Sequence, residues 1–178
     1  GNNMIILIGE SGSGKTTILK ELEKIGYNRI KDYTTREKRE GEDEQEYIFV
    51  TKEKFEKLWD NKKLLQRAEY NGEFYGLSAE NIDENSCCIQ IVESINDIKE
   101  GLKRIGKENV KIKVFYIHVP AEERTKRMLK RGDSIEKIQN RLIIDKEKFR
   151  EVNKIADEII ENIDLNKAID DIITKYKE

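Results

Sequence analysis

The sequence predicts an α/β fold in which a parallel sheet is built from strands that alternate with helices. A continuous apolar run, Met4 to Ile8, leads into a glycine-rich loop and then into a helical pattern from about Lys15 to Lys24. Later apolar, β-branched runs also alternate with amphipathic segments, and strands separated by helices pair in parallel. With 178 residues, the chain is long enough for one core and a smaller lobe.

The loop between the first strand and the first helix has the composition of a phosphate-binding loop. Residues 9–16 read Gly-Glu-Ser-Gly-Ser-Gly-Lys-Thr. Glycines let the backbone curl so that successive N–H groups point at phosphate oxygens, the Lys15 ammonium adds positive charge, and the Thr16 hydroxyl can bind Mg²⁺. The predicted ATP-binding residues of this unit are Gly9, Ser11, Gly12, Ser13, Gly14, Lys15, Thr16 and Thr17.

Residues 28–75 change to a mixed pattern of short strands around one helix. Strand-like pieces at Tyr47 to Val50 and Leu64 to Tyr70 flank an amphipathic helix at about Lys52 to Asn61. The pair Asn71-Gly72 predicts a tight hairpin turn into the following strand. We interpret this block as a small mixed α/β lobe inserted into the main fold.

Regular alternation resumes after the lobe. The predicted elements are a strand at Cys87 to Val92, a helix at Ser94 to Ile105, a strand at Lys111 to Val119, a helix after Pro120, a strand at about Glu158 to Ile160 and a helix at about Leu165 to Lys175. Between them, the polar stretch Arg124 to Arg150 predicts two or more helices linked by residues 131–133. Its polar character on all sides suits a mobile lid.

These elements predict one domain, residues 4–178, with three parts. The core consists of residues 4–31, 87–123 and 155–178, the lobe of residues 32–86, and the lid of residues 124–154. We interpret residues 1–3, Gly-Asn-Asn, as a cloning remnant and leave them out of the fold.

The composition gives no indication of a nucleic acid or a membrane as partner. Charged residues make up 39% of the chain, but 34 basic side chains nearly balance 36 acidic ones. No apolar stretch approaches the roughly 20 residues that a membrane helix needs, and no signal-peptide pattern precedes Met4. We therefore expect a cytoplasmic protein.

A second motif follows the first helix. Residues 33–42 read Tyr-Thr-Thr-Arg-Glu-Lys-Arg-Glu-Gly-Glu, and residues 47–50 read Tyr-Ile-Phe-Val. Together with the loop, these residues resemble the guanylate kinase family of nucleoside monophosphate kinases, which carries Thr-Thr-Arg-x-x-Arg-x-Gly-Glu followed by Tyr-x-Phe-Val. The resemblance covers the chain from Met4 onward. It implies a P-loop kinase core, a small lobe that binds the nucleoside monophosphate, and a helical lid.

The chemistry of the second motif suits a phosphate acceptor. A monophosphate carries close to two negative charges, which planar guanidinium groups bind through two hydrogen bonds where lysine offers a point charge. Arg36 and Arg39 could hold this phosphate, with the hydroxyls of Tyr47 and Tyr75 donating as well, as matching positions do in the family. The alternative is that both arginines are ordinary surface residues of a charge-rich loop.

The lid arginines follow the same logic. Charge spreads over the moving group during phosphoryl transfer, so catalysis is mostly positioning and electrostatic stabilisation. Arg131 and Arg141 resemble the family's lid arginines, with Arg127 assisting, and together with Lys15 they form the predicted catalytic set. Asn162 matches a family position near the donor adenine.

The positions that read the base depart from the family pattern. Guanylate kinases typically have Glu at Gln66, Ser at Asp32, Ser or Thr at Leu77, and Asp at Glu93. Guanine presents two neighbouring donors that a carboxylate accepts together, whereas glutamine offers a single acceptor. Asp32 could supply the second acceptor, or the four positions tolerate drift without a change of substrate.

The resemblance implies an enzyme that converts ATP and GMP to ADP and GDP with Mg²⁺, as a monomer or a homodimer. A related alternative is ribose 1,5-bisphosphate phosphokinase, which the altered base readers, especially Leu77, favour. Residues 39–42 and Tyr47 argue against it. A third alternative is a non-catalytic interaction domain of the guanylate kinase type, whose usual sign is a degraded phosphate loop, whereas this loop is intact.

Overall fold

The computed structural model of the chain describes residues 3–42 and 45–178. Within those residues the strands are β1 Asn3–Ile8, β2 Asn28–Arg29, β3 Asp32–Thr34, β4 Tyr47–Phe49, β5 Ala68–Tyr70, β6 Glu73–Leu77, β7 Ser86–Ile89, β8 Lys111–His118 and β9 Glu158–Glu161. The helices are α1 Lys15–Lys24, α2 Lys52–Asp60, α3 Ser94–Arg104, α4 Ala121–Lys130, α5 Ile135–Lys148 and α6 Leu165–Lys177, with a 3₁₀ turn at Val152–Lys154.

The described strands form two sheets. The five-stranded sheet has the order β2-β7-β1-β8-β9, in which β2 pairs with β7 and β8 pairs with β9 in parallel. Residues 4–8 of its central strand β1 have no exposed surface, as expected for an uninterrupted apolar run in a parallel sheet that is covered on both faces. The predicted α/β fold with a parallel sheet is confirmed.

The four-stranded sheet has the order β4-β3-β6-β5 and mixes strand directions. β3 runs parallel to β4 and antiparallel to β6, and β5 and β6 form a hairpin. Asn71 and Gly72 join the hairpin strands with φ angles of 51° and 79°. Positive φ at both positions is what a two-residue hairpin turn requires, so the predicted turn is confirmed.

The chain divides into two compact units, which are described separately. The first unit contains Asn3, Met4 and the described residues of 28–88 and 93–111, and it holds the four-stranded sheet, α2 and α3. The second unit contains residues 5–27, 89–92 and 112–178, and it holds α1, α4, α5, α6 and β9. The prediction of a core, a lobe and a lid stays a prediction.

The first unit packs around a small apolar cluster. Phe55, Leu58 and Leu64 form its centre, and partly buried side chains pack against it: Tyr33, Val50, Trp59 and Phe74. On α3, Gly101 allows the helix to approach the chain at Leu65, because a Cβ there would lie 1.6 Å from the Leu65 carbonyl oxygen. Only glycine fits this approach.

In the second unit, α4 and α5 are separated by residues 131–134, one residue more than the predicted link of residues 131–133. Ser134 caps α5 by accepting a hydrogen bond from the Lys137 backbone N–H at 3.1 Å. Helix α1 buries Ile18, Leu19 and Leu22 on one face, at the spacing of an amphipathic helix. None of the helices in residues 3–42 and 45–178 is long and apolar enough to cross a membrane.

Two predicted strands differ from the structure by three or more residues at one end. Leu64 forms only an isolated bridge with Ser78, and the regular strand β5 begins at Ala68. The apolar residues Leu64 and Leu65 are buried by packing, and hydrophobicity reports burial rather than strand pairing. β7 likewise ends at Ile89, before the predicted Val92.

Three further elements were not predicted: β2, β3 and the 3₁₀ turn are two or three residues long and carry no periodicity. Of the predicted cloning remnant, Gly1 and Asn2 lie outside the described residues. Asn3 begins β1, and its backbone N–H donates to the Asp83 carbonyl at 3.1 Å.

Candidate active site

The glycine-rich loop lies between β1 and α1 and has the backbone of an anion-binding loop. Gly12 and Gly14 have φ angles of 82° and 89°, in the left-handed region that favours glycine. Gly14 is the residue before α1, and a Cβ there would lie 2.5 Å from the Asn162 amide nitrogen. The first turn of α1 contains no acidic side chain, so its N–H groups are suited to a phosphate.

The Lys15 ammonium donates to carbonyl oxygens of its own loop, Gly9 O and, at 3.2 Å, Glu10 O. Burial lowers the pKa of Lys15 to about 8, and the carboxylates of Asp145 and Glu10 act in the opposite direction. The side chain therefore remains mostly protonated at neutral pH and carries the charge that a triphosphate requires.

The side chain of Glu10 is fixed from two neighbouring elements. The Tyr116 hydroxyl, on β8, approaches the two Glu10 carboxylate oxygens at 2.7 and 2.9 Å. Arg124, on α4, donates from Nε to the Val119 carbonyl at 2.9 Å, and its Nη2 lies 4.0 Å from Glu10. Sequence reasoning assigned no role to these three residues, because Glu10 carries no pattern of its own and its two partners are distant in sequence.

The loop also contacts α5. The Ser11 backbone N–H donates to Asp145 Oδ2 at 2.8 Å, and Asp145 is 5% exposed. Asp145 Oδ1 lies 4.0 Å from Nη1 of Arg141, one helical turn earlier. Asp145 was not predicted as a site residue, and no sequence signal links it to a loop 134 residues away.

The structure brings two further predicted residues, Arg127 and Asn162, to the loop. The Asn162 amide donates to the Ser13 carbonyl at 2.8 Å, and Arg127 donates from Nη2 to the Asn162 carbonyl at 2.8 Å. Arg127 Nη1 lies 3.4 Å from the Gly12 carbonyl. These contacts support the loop backbone, while the predicted roles of Arg127 in catalysis and of Asn162 near adenine stay predictions.

Other predicted residues of this unit are exposed. Arg131 is paired with Asp133 beyond the end of α4, and 57% of its side chain is exposed. Thr16 and Thr17 lie exposed in the first turn of α1, and their hydroxyls make no hydrogen bond to any of the described residues. An exposed hydroxyl without a hydrogen-bond partner is suited to bind Mg²⁺.

Among residues 3–42 and 45–178, no group of three or more His, Cys, Asp or Glu side chains could hold a metal ion. Mg²⁺ is commonly held by few protein ligands together with substrate phosphates and waters. Thr16, beside the loop amides, fits that mode of binding, whereas a site made only of protein ligands does not fit the residues that the structure describes.

In the first unit, the guanidinium of Arg36 is held by Glu42. Nη1 and Nη2 donate to the two Glu42 carboxylate oxygens at 2.9 and 2.8 Å, and Arg36 also lies 5.1 Å from the centre of the Tyr47 ring. Hydrogen bonds from Arg36 and from the Arg39 backbone lower the pKa of Glu42 to about 2. Glu42 therefore stays ionised at neutral pH and holds the Arg36 guanidinium in one orientation.

Three tyrosine rings meet beside Arg36. Tyr75 lies edge-on to Tyr47 at 6.0 Å and to Tyr70 at 5.6 Å between ring centres. Burial, followed by the charge of Asp32, raises the pKa of Tyr47 to about 12, so its hydroxyl remains a donor. Tyr70 was missed, although the register of the Asn71-Gly72 hairpin could have indicated it, since Ala68 pairs with Tyr75 and Tyr70 lies diagonally beside it.

Three of the four predicted base readers, Asp32, Gln66 and Leu77, lie together at one end of β6. Asp32 pairs in register with Leu77, and the Leu77 backbone N–H donates to Gln66 Oε1 at 2.9 Å. Leu77 has no exposed surface and Gln66 is 6% exposed, whereas Glu93 is exposed at the start of α3. Because the Gln66 carbonyl is bonded to the backbone, its amide nitrogen is the group left to donate.

The comparisons with known proteins agree on one family. The family model for guanylate kinase matches residues 1–176. A guanylate kinase from Wolbachia sp. subsp. Brugia malayi (strain TRS) is 33% identical over 177 residues, which cover 95% of this chain and 89% of that protein. A guanylate kinase from Fusobacterium nucleatum subsp. nucleatum is 30% identical over 174 residues, which cover 96% of this chain and 94% of that protein.

The fold has a similar solved structure. The crystal structure of guanylate kinase from Anaplasma phagocytophilum matches with a TM-score of 0.65 and 23% identity, covering 99% of this chain and 85% of that one. This likeness confirms the predicted P-loop kinase fold. Since the family model spans nearly all of the sequence and relatives are at least 30% identical over their length, the chain belongs to the guanylate kinase family.

Proposed function

We propose that this chain transfers the γ-phosphoryl group of ATP to GMP, giving ADP and GDP. The observation that carries the proposal is the intact phosphate-binding loop, with two left-handed glycines and a protonated lysine directly before α1. Membership of the guanylate kinase family supports a phosphotransferase and this pair of substrates. A non-catalytic domain would not need this charge at the loop.

On the donor side, the N–H groups of the loop and of the first turn of α1 bind the phosphates of ATP. Lys15 neutralises charge on the β- and γ-phosphates, and doing so exchanges its bonds to loop carbonyls for bonds to phosphate oxygens. Asn162 and Arg127 keep the loop carbonyls oriented away from the phosphates. The lid arginines Arg131 and Arg141 stabilise the transferring group, which needs charge and position rather than a protein nucleophile.

Mg²⁺ fits the hydroxyl of Thr16, with the nucleotide phosphates as its other ligands. When bound, the ion neutralises part of the charge that develops on the phosphates.

On the acceptor side, Arg36 and Arg39 bind the phosphate of GMP, together with the hydroxyls of Tyr47 and Tyr75. Glu42 orients Arg36 in advance, which lowers the entropic cost of ordering its side chain, and the remaining N–H groups on Nε and Nη2 meet the phosphate. The Arg39 side chain forms no hydrogen bond or ion pair with the described residues and can turn to the phosphate. Asp32, Gln66 and Glu93 contact the base, whereas Leu77 has no exposed surface and acts only through its strand pairing with Asp32.

The remaining parts of the proposal concern the whole protein. Residues 4–31, 87–123 and 155–178 form the core, residues 32–86 the acceptor lobe, and residues 124–154 the lid. The protein acts in the cytoplasm, as a monomer or a homodimer, on ATP and GMP, without a nucleic acid or membrane partner.

A coupled assay of ADP release tests the proposed function across GMP, dGMP, AMP, IMP and ribose 1,5-bisphosphate. We expect ADP release to depend on an acceptor, with GMP the most efficient. Faster turnover of AMP than of GMP would mean that AMP is the acceptor. Turnover of ribose 1,5-bisphosphate alone would assign the chain to the phosphokinase alternative. ADP release from none of the five would contradict the proposed function.

A further inference from the structure

The carboxylate of Asp145 connects two parts of the second unit that act on the phosphates. Asp145 lies in the last turn of α5 and is 5% exposed. Its Oδ2 accepts a hydrogen bond from the Ser11 backbone N–H at 2.8 Å. Its Oδ1 lies 4.0 Å from Nη1 of Arg141 on the preceding turn. One carboxylate therefore faces both the phosphate-binding loop and a lid arginine.

This arrangement gives each oxygen of Asp145 a separate partner. A carboxylate buried to this extent is favourable only where hydrogen bonds or positive charge replace the lost water. Ser11 supplies a neutral donor that belongs to the loop backbone, and Arg141 supplies a charge on a side chain that is 44% exposed. An exposed arginine samples many rotamers unless a partner restricts it.

We propose that Asp145 is a positioning residue that holds Arg141 in register with the phosphate-binding loop. The inference rests on the proposed function, because it assigns to Arg141 the stabilisation of the transferring group. Misplacement of a catalytic group by about 1 Å can cost on the order of 100-fold in rate, so a fixed link between arginine and loop has a large effect.

A carboxylate beside the loop also has an opposing effect, since it repels the phosphates of ATP. If this repulsion were dominant, removal of the charge would strengthen ATP binding and leave the chemical step unchanged. If positioning is dominant, removal of the charge slows the chemical step. The two effects are separated by measuring kcat and the KM for ATP independently.

Two variants separate the two oxygens. Asp145→Asn keeps an oxygen that can accept from Ser11 but replaces the charge that attracts Arg141, whereas Asp145→Ala removes both. Glu147→Gln is the matched control, because Glu147 lies two residues away on α5 and is paired with Arg150 at the surface. Circular dichroism and the melting temperature show that each variant is folded.

We expect Asp145→Asn to lower kcat about 10-fold with the KM for ATP changed less than about 2-fold, and Asp145→Ala to lower kcat on the order of 100-fold and raise that KM. In an Arg141→Ala background, Asp145→Asn should have little further effect on kcat, because coupled residues are not additive. Glu147→Gln should leave both constants unchanged.

The inference is overturned if Asp145→Asn has the kcat of the wild type, or binds ATP more tightly with kcat unchanged. Hydrogen exchange on the ligand-free protein tests the link without turnover: the Ser11 amide should exchange faster in Asp145→Ala and at the wild-type rate in Asp145→Asn. Equal exchange in all three proteins contradicts the inference. An inactive wild type with this exchange pattern contradicts the proposed function alone.

Discussion

Arg36, which we propose binds the acceptor phosphate, is the residue whose replacement should separate acceptor binding from donor binding. Lysine in its place cannot form the two parallel hydrogen bonds of a guanidinium. We expect Arg36→Lys to weaken GMP binding about 10-fold or more, since hydrogen bonds between charged groups contribute about 1.5–3 kcal/mol, and to leave ATP binding unchanged. Calorimetric titration of each ligand measures this difference.

The matched control is Arg67→Lys. Arg67 also pairs with a glutamate and lies over an aromatic ring in the same unit, but we assign it no ligand. Arg67→Lys should therefore leave the affinities for GMP and for ATP unchanged. Equal losses of GMP and ATP affinity in Arg36→Lys would contradict the assignment of this arginine to the acceptor.

The pairing of Glu42 with Arg36 predicts a pH dependence of stability. The pKa of Glu42 is lowered from 4.5 to about 2 in the folded protein, chiefly by hydrogen bonds from Arg36 and the Arg39 backbone. Such a carboxylate contributes stability that is complete above the unfolded pKa and is lost as the pH falls through the folded pKa.

Urea unfolding of the wild type and Glu42→Gln between pH 7 and pH 2.5 measures this contribution. We expect the difference in the free energy of unfolding to be constant above about pH 5 and to shrink toward pH 2.5. A difference that is independent of pH would mean that the charge of Glu42 does not stabilise the fold.

Among the proposed base readers, we expect the Asp32 carboxylate to replace the carboxylate that is lost where Gln66 stands. The Gln66 carbonyl already accepts from the Leu77 backbone, so we assign to Asp32 the main acceptor for the two donors of guanine. We expect Asp32→Ala to lower kcat/KM for GMP about 10-fold or more and that for AMP much less, because an unpaired polar group costs about 1–3 kcal/mol.

Gln66→Glu restores a carboxylate to the pocket and should recover part of the GMP activity of Asp32→Ala. Kinetics with GMP and AMP on the single and double variants test this. Equal losses for both purines, or no recovery in the double variant, would show that Asp32 does not read the base.

At the scale of elements, helix α3 depends on a glycine in its interior. Alanine is favoured over glycine by about 1 kcal/mol in a helix, so Gly101→Ala would stabilise an unconstrained helix. Here the added Cβ would lie 1.6 Å from the Leu65 carbonyl oxygen, and backbone must move to accommodate it. We therefore expect a loss of about 1–3 kcal/mol in the free energy of unfolding, as for other overpacked sites.

Lys99→Ala, on the exposed side of the same helix, is the control and should be nearly neutral. Thermal unfolding compares the two variants. A Gly101→Ala protein as stable as the wild type would show that α3 does not need its close approach to the chain at Leu65.

Elements with a strong local signal could be predicted from the sequence. The apolar run of β1, the helix bounds of α1 and the Asn71-Gly72 hairpin each follow from spacing or from turn chemistry. The short strands β2 and β3 carry no such signal. They are defined by pairing with a neighbouring strand and have no internal pattern. Their existence depends on tertiary structure.

At the scale of the whole molecule, the phosphate loop and the acceptor motif could be recognised because each is contiguous in sequence. The contacts that hold the loop in place could not be recognised, because the residues that make them are distant in sequence. Glu10 and Tyr116 are 106 positions apart and Ser11 and Asp145 are 134 positions apart, and no local rule connects them. A motif therefore predicts the groups that meet the phosphates, while the fold determines what holds those groups in place.

The central claim is that this chain moves a phosphoryl group from ATP to GMP with the charge of Lys15. Phosphorus NMR of a mixture of ATP, GMP, Mg²⁺ and protein follows this phosphoryl transfer directly. The wild type should convert the γ-phosphate signal of ATP into the β-phosphate signal of GDP, and Lys15→Ala should do so on the order of 100-fold more slowly or not at all. Lys20→Ala, exposed on the same helix, should match the wild type. Free phosphate without GDP, or a Lys15→Ala protein as fast as the wild type, would contradict the claim.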